Sequence, residues 1–203
     1  SMPTGGGKVQ RELGIIGNTR IIGGVEAAEG LYPYAVSLQD SIGHICGASL
    51  IAPDIVLSAA HCSCREYKAV IGRHNLTTND GFEVGVKIEM IHPEYDARTM
   101  DNDFMLLFLE HPVGEDVELA RVSTDFVSES TEVTVIGWGD INEGVEFELS
   151  DTLREVEVKV MSNDECEKSE NIFASYEGLI TSNMLCARAD AKDSCQSDSG
   201  GPL

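Results

Sequence analysis

The chain has 203 residues, of which 42% are apolar, enough for a buried core, and its 35 acidic against 14 basic residues give a formal charge of −21 at pH 7. So acidic a protein repels nucleic acid and anionic lipid, which argues for no nucleic-acid and no membrane partner and favours basic substrates or partners. No run of roughly eighteen apolar residues is present, which excludes an ordinary membrane-spanning helix.

In chain order, the first twenty residues are glycine-rich and polar, and the opening "SMPTGGGKVQ" has no apolar signal core. They read as a tail joined to a folded body at "RIIGG", Arg20 to Gly24. Short strand-like runs follow: "YAVSLQ" at 34–39, "ICGASLIA" at 45–52, "IVLSAA" at 55–60, "YKAVIG" at 67–72, "VGVKIEMI" at 84–91 and "FMLLFLE" at 104–110. Two more, "TEVTVIGWG" at 131–139 and "LREVEVKVM" at 153–161, lie beyond a polar stretch over 111–130. Clusters of Gly, Pro, Asn and Asp separate the runs, the pattern of an all-β protein. In the last run Val156, Val158 and Val160 alternate with Glu155, Glu157 and Lys159, so one face of an antiparallel strand meets a core and the other meets water. The polar stretch marks the break between two β units, and a cleft between such units is a natural place for a site.

Six cysteines stand at 46, 62, 64, 166, 186 and 195. An even number allows up to three disulfides in an exported protein. His44, Cys46, His61, Cys62 and Cys64 mix metal-ligand types, but their spacing matches no zinc pattern. His92 and His111 precede prolines and read as loop residues. Between Asp140 and Glu170 eleven carboxylates face Arg154, Lys159 and Lys168, which reads as a solvated acidic surface or as a field that steers basic substrates.

Three residues suggest chemistry. A serine hydroxyl needs a base to take its proton, and the base needs a third group to hold its tautomer. His61 ends an apolar strand in "LSAAHC", Asp103 opens another in "DNDFMLLFL", and Ser199 sits in "SDSGGPL". In that order, together with "RIIGG", "CGASLIAPDIVLSAAHC", "VIGWG", "NMLCA" and "KDSCQSDSGGPL", they resemble the trypsin-like serine proteases of the chymotrypsin family over residues 20–203.

The resemblance implies two antiparallel β-barrels of the chymotrypsin type. It divides the chain into a propeptide with exogenous leading residues at 1–20, a first barrel at 21–122 and a second at 123–203 that is incomplete at its C-terminal end. It makes His61 the general base, Asp103 its orienting partner and Ser199 the nucleophile of a secreted endopeptidase that needs no cofactor. The backbone amides of Ser197 and Ser199 would form the oxyanion hole. Asp193 would bind the Arg or Lys side chain of protein or peptide substrates, and protein inhibitors would bind the same cleft. Cleavage after Arg20 by an activating protease would free Ile21, whose ammonium would pair with Asp198. Cys46 with Cys62 and Cys166 with Cys186 match family disulfides. The usual partner of Cys195 has no counterpart in the sequence, so Cys64 reads as a free thiol or as an unusual partner for Cys195. "NLT" places a glycosylation sequon at Asn75.

Two departures from the family pattern carry consequences. Ser197 replaces a glycine of the oxyanion loop, where a Cβ brings strain, and this favours the alternative of a catalytically inactive homologue acting as a binding or regulatory module. Arg73 stands where the family places a calcium-ligating carboxylate, and a guanidinium cannot ligate a cation, so although Asp80 and Glu83 remain, no metal is expected.

Overall fold

The computed structural model describes residues 24–64, 66–141, 148–169, 176–188 and 199–203. The described residues form ten strands and one short α-helix in chain order: β1 Val25–Glu26, β2 Ala35–Gln39, β3 His44–Ala52, β4 Ile55–Ser58, β5 Lys68–Ile71, β6 Phe82–Ile91, β7 Met105–Leu109, β8 Glu132–Gly137, β9 Arg154–Met161, α1 Asn163–Glu167 and β10 Cys186–Arg188. All the named strand pairs are antiparallel.

Strands β2, β3, β4, β7, β6 and β5 close into a barrel in that order, with β5 returning to β2. Closure leaves no free edge, so every strand has partners on both sides. The interior follows from a period of two. On β7, Met105, Leu107 and Leu109 point inward and are buried, while Leu106 and Phe108 between them stay half-buried on the outside. Val36, Leu38, Ala48, Leu50, Val56, Ala69 and Ile71 complete the filling. Burying each Leu or Val side chain contributes about 1.5–3 kcal/mol, which is what selects this register over a one-residue slip.

The second sheet joins β1, β9 and β10 in sequence, with β8 also paired to β9. Val156, Val158 and Val160 of β9 are buried, and Val133 and Val135 of β8 pack against the first two. This nearly helix-free pairing of a closed six-stranded barrel with a second antiparallel sheet is the chymotrypsin-like fold implied by the sequence motifs. The segment 111–130 between β7 and β8 contains no strand and is fastened to the barrel by Val113 N to Pro53 O and Ala120 N to Leu50 O, both 2.8 Å.

A third cluster fills the seam between the units. Ala27, Ala35, Ile136, Trp138 and Leu153 are buried together, with Tyr32, Tyr34 and Leu76 packed against them. The Trp138 indole donates to His74 O at 3.0 Å, so its one polar atom is satisfied where the ring is buried. The segment after the tail belongs to the same seam. Val25 and Glu26 pair with Glu155 and Arg154 of β9, and the Arg154 guanidinium bonds Gly24 O.

Two disulfides brace the ends of these elements. Cys46 to Cys62 joins β3 to the turn after β4, and Cys166 to Cys186 joins α1 to β10. The helix is capped by Ser162, whose hydroxyl accepts from Glu165 N at 3.2 Å. Among the described residues no helix is long and apolar enough to cross a membrane.

Candidate active site

Strand β4 ends in small residues, Ser58, Ala59 and Ala60, that let the chain turn tightly into one 3-10 turn over Ala60–Cys62. His61 sits on that turn, held from behind by the Cys46 to Cys62 bond. Asp103 comes from the loop before β7, which lies beside β4 in the barrel. Both oxygens of its carboxylate face the histidine. Asp103 Oδ1 accepts from His61 N at 2.8 Å, and Asp103 Oδ2 lies 2.6 Å from His61 Nδ1. The side chains are 22% and 19% exposed, so the pair is partly shielded from water while one edge of the imidazole remains open. A carboxylate can only accept, so Nδ1 carries a proton, and in the neutral ring Nε2 is the nitrogen that holds the lone pair. Burial, followed by the charges of Asp103 and Asp96, pushes the nearby Tyr95 phenol up and keeps it neutral.

Ser199 is brought to the same place by its backbone. Its carbonyl accepts from Gly47 N at 2.9 Å, and the disulfide sulfur of Cys62 lies 3.6 Å from that oxygen. The next residue explains the fit. Gly200 has φ 79°, and a Cβ there would lie 2.3 Å from Ser58 Oγ and 2.7 Å from both Ala59 N and Gly47 O. Only glycine allows this approach, and it seats the chain after Ser199 against the end of β4, two residues from His61. Ser58 is itself buried, donating to Gly47 O at 2.8 Å. Sequence reasoning did not single out Gly47, Ser58 or Gly200, because a close backbone approach leaves no periodic signal. His61 and Asp103 thus meet from positions far apart in sequence, and the Ser199 carbonyl lies against Gly47 and Cys62, the neighbour of His61 in the chain. Arg20, Ile21, Asp193, Cys195, Ser197 and Asp198 lie outside the described residues.

Cys46, Cys62 and His61 place candidate metal-ligand atoms within 4.8 Å of one another. The two sulfurs are bonded to each other at 1.98 Å, so neither is a thiolate, and His61 Nδ1 is committed to Asp103. This donor set does not fit a metal. Cys64 is a free, half-buried thiol, pushed up mainly by burial and further by Asp40 and Glu89.

The loop after β5 is organised around a cation of its own. The guanidinium of Arg73 is buried; it donates to Thr78 O and lies 3.6 Å from Asp80 Oδ1. Asp80 Oδ2 accepts from His74 N at 2.6 Å and Asn75 N at 3.1 Å, and Oδ1 accepts from the Thr78 hydroxyl. Burial works to raise the Asp80 carboxyl, but these hydrogen bonds outweigh it and hold it below the ordinary carboxylate range. Glu83 is drawn instead to Lys68 at 2.6 Å. In the sequon, Asn75 Oδ1 accepts from Thr77 N at 2.8 Å and from Thr77 Oγ1 at 2.7 Å.

Comparison with known proteins gives one consistent result. The trypsin family model matches residues 21–203. The chain is 40% identical over 191 residues to Trypsin-4 of Rattus norvegicus, spanning 91% of this chain and 74% of that one. It is 38% identical over 191 residues to Trypsin-3 of Salmo salar, spanning 91% and 76% of the two chains. Against anionic trypsin of Bos taurus the identity is 39% over 194 residues, spanning 91% and 74%. Among solved structures, neuropsin, a serine protease expressed in the limbic system of mouse brain, superposes with a TM-score of 0.82 at 30% identity, covering 90% of this chain and 82% of that one.

Proposed function

The chain belongs to the trypsin family of serine endopeptidases, and from that premise we propose that His61, Asp103 and Ser199 perform peptide-bond hydrolysis after Arg or Lys in a secreted protein. The observation that carries this reading is the double contact of Asp103 with His61, which leaves Nε2 as the open, basic edge of the ring.

In the proposed cycle His61 Nε2 takes the Ser199 hydroxyl proton as Oγ attacks the scissile carbonyl. The resulting oxyanion is held by the amides of Ser197 and Ser199, which supply charge stabilisation where charge develops. His61 returns the proton to the leaving amine as the C–N bond breaks, and a water molecule then releases the acyl group by the same steps in reverse. Asp193 meets the substrate cation, and its preference over neutral side chains follows from the penalty of a buried charge left unpaired.

The first twenty residues act as a propeptide. Cleavage after Arg20 by an activating protease frees Ile21, whose ammonium pairs with Asp198 and so orders the loop that carries Ser197 and Ser199. The division into a tail at 1–20, a first unit at 21–122 and a second at 123–203 belongs to the same reading, as do protein inhibitors that bind the cleft and glycosylation of Asn75.

The test is hydrolysis of an arginine ester by protein cleaved after Arg20, with covalent labelling by an organophosphate and Ser199→Ala as control. Label on Ser199 with ester turnover supports the proposal. Folded, correctly cleaved protein that takes no label at Ser199 overturns it. That outcome would favour a non-catalytic binding module, for which the specific indication is Ser197 in place of the oxyanion-loop glycine.

A further inference from the structure

Asp101 lies two residues before Asp103, between two residues in left-handed backbone, Met100 at φ 59° and Asn102 at φ 55°. Residues with a Cβ hold such angles only where their surroundings over-determine them. Some of the restraint is local. Asp96 N donates to Asp101 O at 3.1 Å, Asn102 Nδ2 to Glu94 O at 3.1 Å and Phe104 N to Asn102 O at 2.8 Å.

The Asp101 carboxylate reaches elsewhere. Its Oδ1 accepts from Thr181 Oγ1 at 2.6 Å and from Asn183 Nδ2 at 3.1 Å, 80 and 82 residues along the chain and past the second sheet's β8 and β9. Hydrogen bonds from Thr181 and then Asn183 hold the Asp101 carboxyl below the ordinary carboxylate range, so at neutral pH it is an acceptor only. Thr181 is in turn fixed. Asn163 Nδ2, at the start of α1, donates to Thr181 O at 2.9 Å and to Met184 O at 3.1 Å, and Met184 stands two residues before the bridged Cys186. One end of this chain of contacts is braced by a helix and a disulfide; the other reaches the backbone that carries Asp103.

Asp103 has a demanding task, because its two oxygens must meet two nitrogens of one residue at 2.8 and 2.6 Å. A small rotation of the loop improves one contact only by losing the other. The local bonds fix the loop's shape and its base is tied to the barrel by His92 N to Phe104 O at 3.0 Å, while the Asp101 contacts add an anchor outside the barrel at its far side.

We propose that Asp101 is a positioning residue, whose bonds to Thr181 and Asn183 anchor the 96–103 loop to the second unit and thereby aim Asp103 at His61. This rests on the catalytic reading of His61, Asp103 and Ser199. Misaligning a catalytic pair affects the chemical step more than binding, so the signature is in kcat.

The experiment compares wild type, Asp101→Ala, Asp101→Asn, Thr181→Val and the Asp101→Ala/Thr181→Val double variant, all cleaved after Arg20, with competent enzyme counted by organophosphate titration. Asp101→Ala is expected to lower kcat on an arginine ester about tenfold with KM changed less than about twofold. Asp101→Asn keeps a carbonyl acceptor for Thr181 and should recover most of that loss. Thr181→Val should lower kcat alone but add little to Asp101→Ala, as expected of two ends of one contact. Unchanged kcat in Asp101→Ala and Thr181→Val, a loss confined to thermal stability, or independent losses that multiply in the double variant would each overturn the proposal. If Asp101→Ala does not fold, Thr181→Val and Asp101→Asn decide by the same kcat criterion. Wild type that takes no label at Ser199 overturns the catalytic reading itself, and this inference with it.

Discussion

The substitution Gly200→Ala tests the packing that places Ser199. Gly200 has φ 79°, and an alanine held in left-handed backbone is disfavoured by on the order of 1–2 kcal/mol. Its methyl carbon would also lie 2.3 Å from Ser58 Oγ and 2.7 Å from Ala59 N and Gly47 O, inside any real contact distance. Forcing extra volume into a packed site costs about 1–3 kcal/mol, so the sum is on the order of 2–5 kcal/mol. For a protein of this size that lowers Tm by on the order of 5–15 °C. The chain relieves the clash by moving away from β4. That movement stretches the 2.9 Å bond from Gly47 N to Ser199 O and carries Ser199 with it. A shift of about 1 Å at a nucleophile costs on the order of a hundredfold in turnover. The assay is kcat on an arginine ester, normalised by organophosphate titration, with Tm from thermal unfolding. Adding Ser58→Ala removes the nearest overlap but neither backbone contact, so it should restore only part of the loss. Wild-type kcat and Tm in Gly200→Ala, or complete rescue by Ser58→Ala, would refute this account of how Ser199 is held.

Other expected outcomes follow from the loop after β5 and from the free thiol. Asp80→Asn should destabilise the protein by about 2 kcal/mol at neutral pH, because hydrogen bonds to a charged acceptor are lost. Since the folded carboxyl sits below its unfolded range, that stability is present above the ordinary carboxylate range and is lost as pH falls through the lowered folded value; denaturant unfolding of the two proteins should therefore converge at strongly acid pH. Stripping divalent cations with a chelator should leave Tm unchanged, because the Arg73 guanidinium already supplies the positive charge against Asp80; a fall of several degrees that calcium reverses would contradict this. Cys64 should react with a disulfide reagent at neutral pH much more slowly than free cysteine, since burial and the charges of Asp40 and Glu89 disfavour its thiolate. A rate equal to that of free cysteine would show that this environment does not persist in solution.

Much of the fold was legible because its strands obey a period of two. Each of the eight apolar runs became a strand, and in β9 the buried valines alternate with exposed Glu157 and Lys159, while Glu155, accepting from the Tyr32 hydroxyl, is half-buried. The two missed strands, Val25–Glu26 and Cys186–Arg188, are too short to show any period; they exist because β9 offers them partners. The helix at Asn163–Glu167 is likewise too short for periodicity, though Ser162 followed by Asp164 and Glu165 is a recognisable cap and first turn. At the site, residue types and their flanks pointed to His61, Asp103 and Ser199, while the residues that seat them left no trace. Gly200 reads as one more glycine, Ser58 as one more strand serine and Asp101 as a turn former, because their roles depend on atoms brought near by folding.

The placement of these supports says how the site responds to motion between the two units. His61 and Asp103 both come from the closed barrel, and Ser199, although it follows the second sheet in sequence, is bonded by its carbonyl to Gly47 of the barrel's own β3. The seat of Ser199 is therefore on the barrel, beside His61, while the loop that carries Asp103 is tied to both units. Only three residues after Ser199 does the tie to the second sheet appear, through Pro202 O, which accepts from Ile136 N of β8 at 3.4 Å, a longer bond than that at Gly47. A small opening of the seam should accordingly strain the weaker bond at Pro202 and the Asp101 contacts with Thr181 and Asn183 before it disturbs the seat of Ser199. The seam can then adjust while the seat of Ser199 stays set by barrel packing, where Gly47, Ser58 and Gly200 leave no room to move.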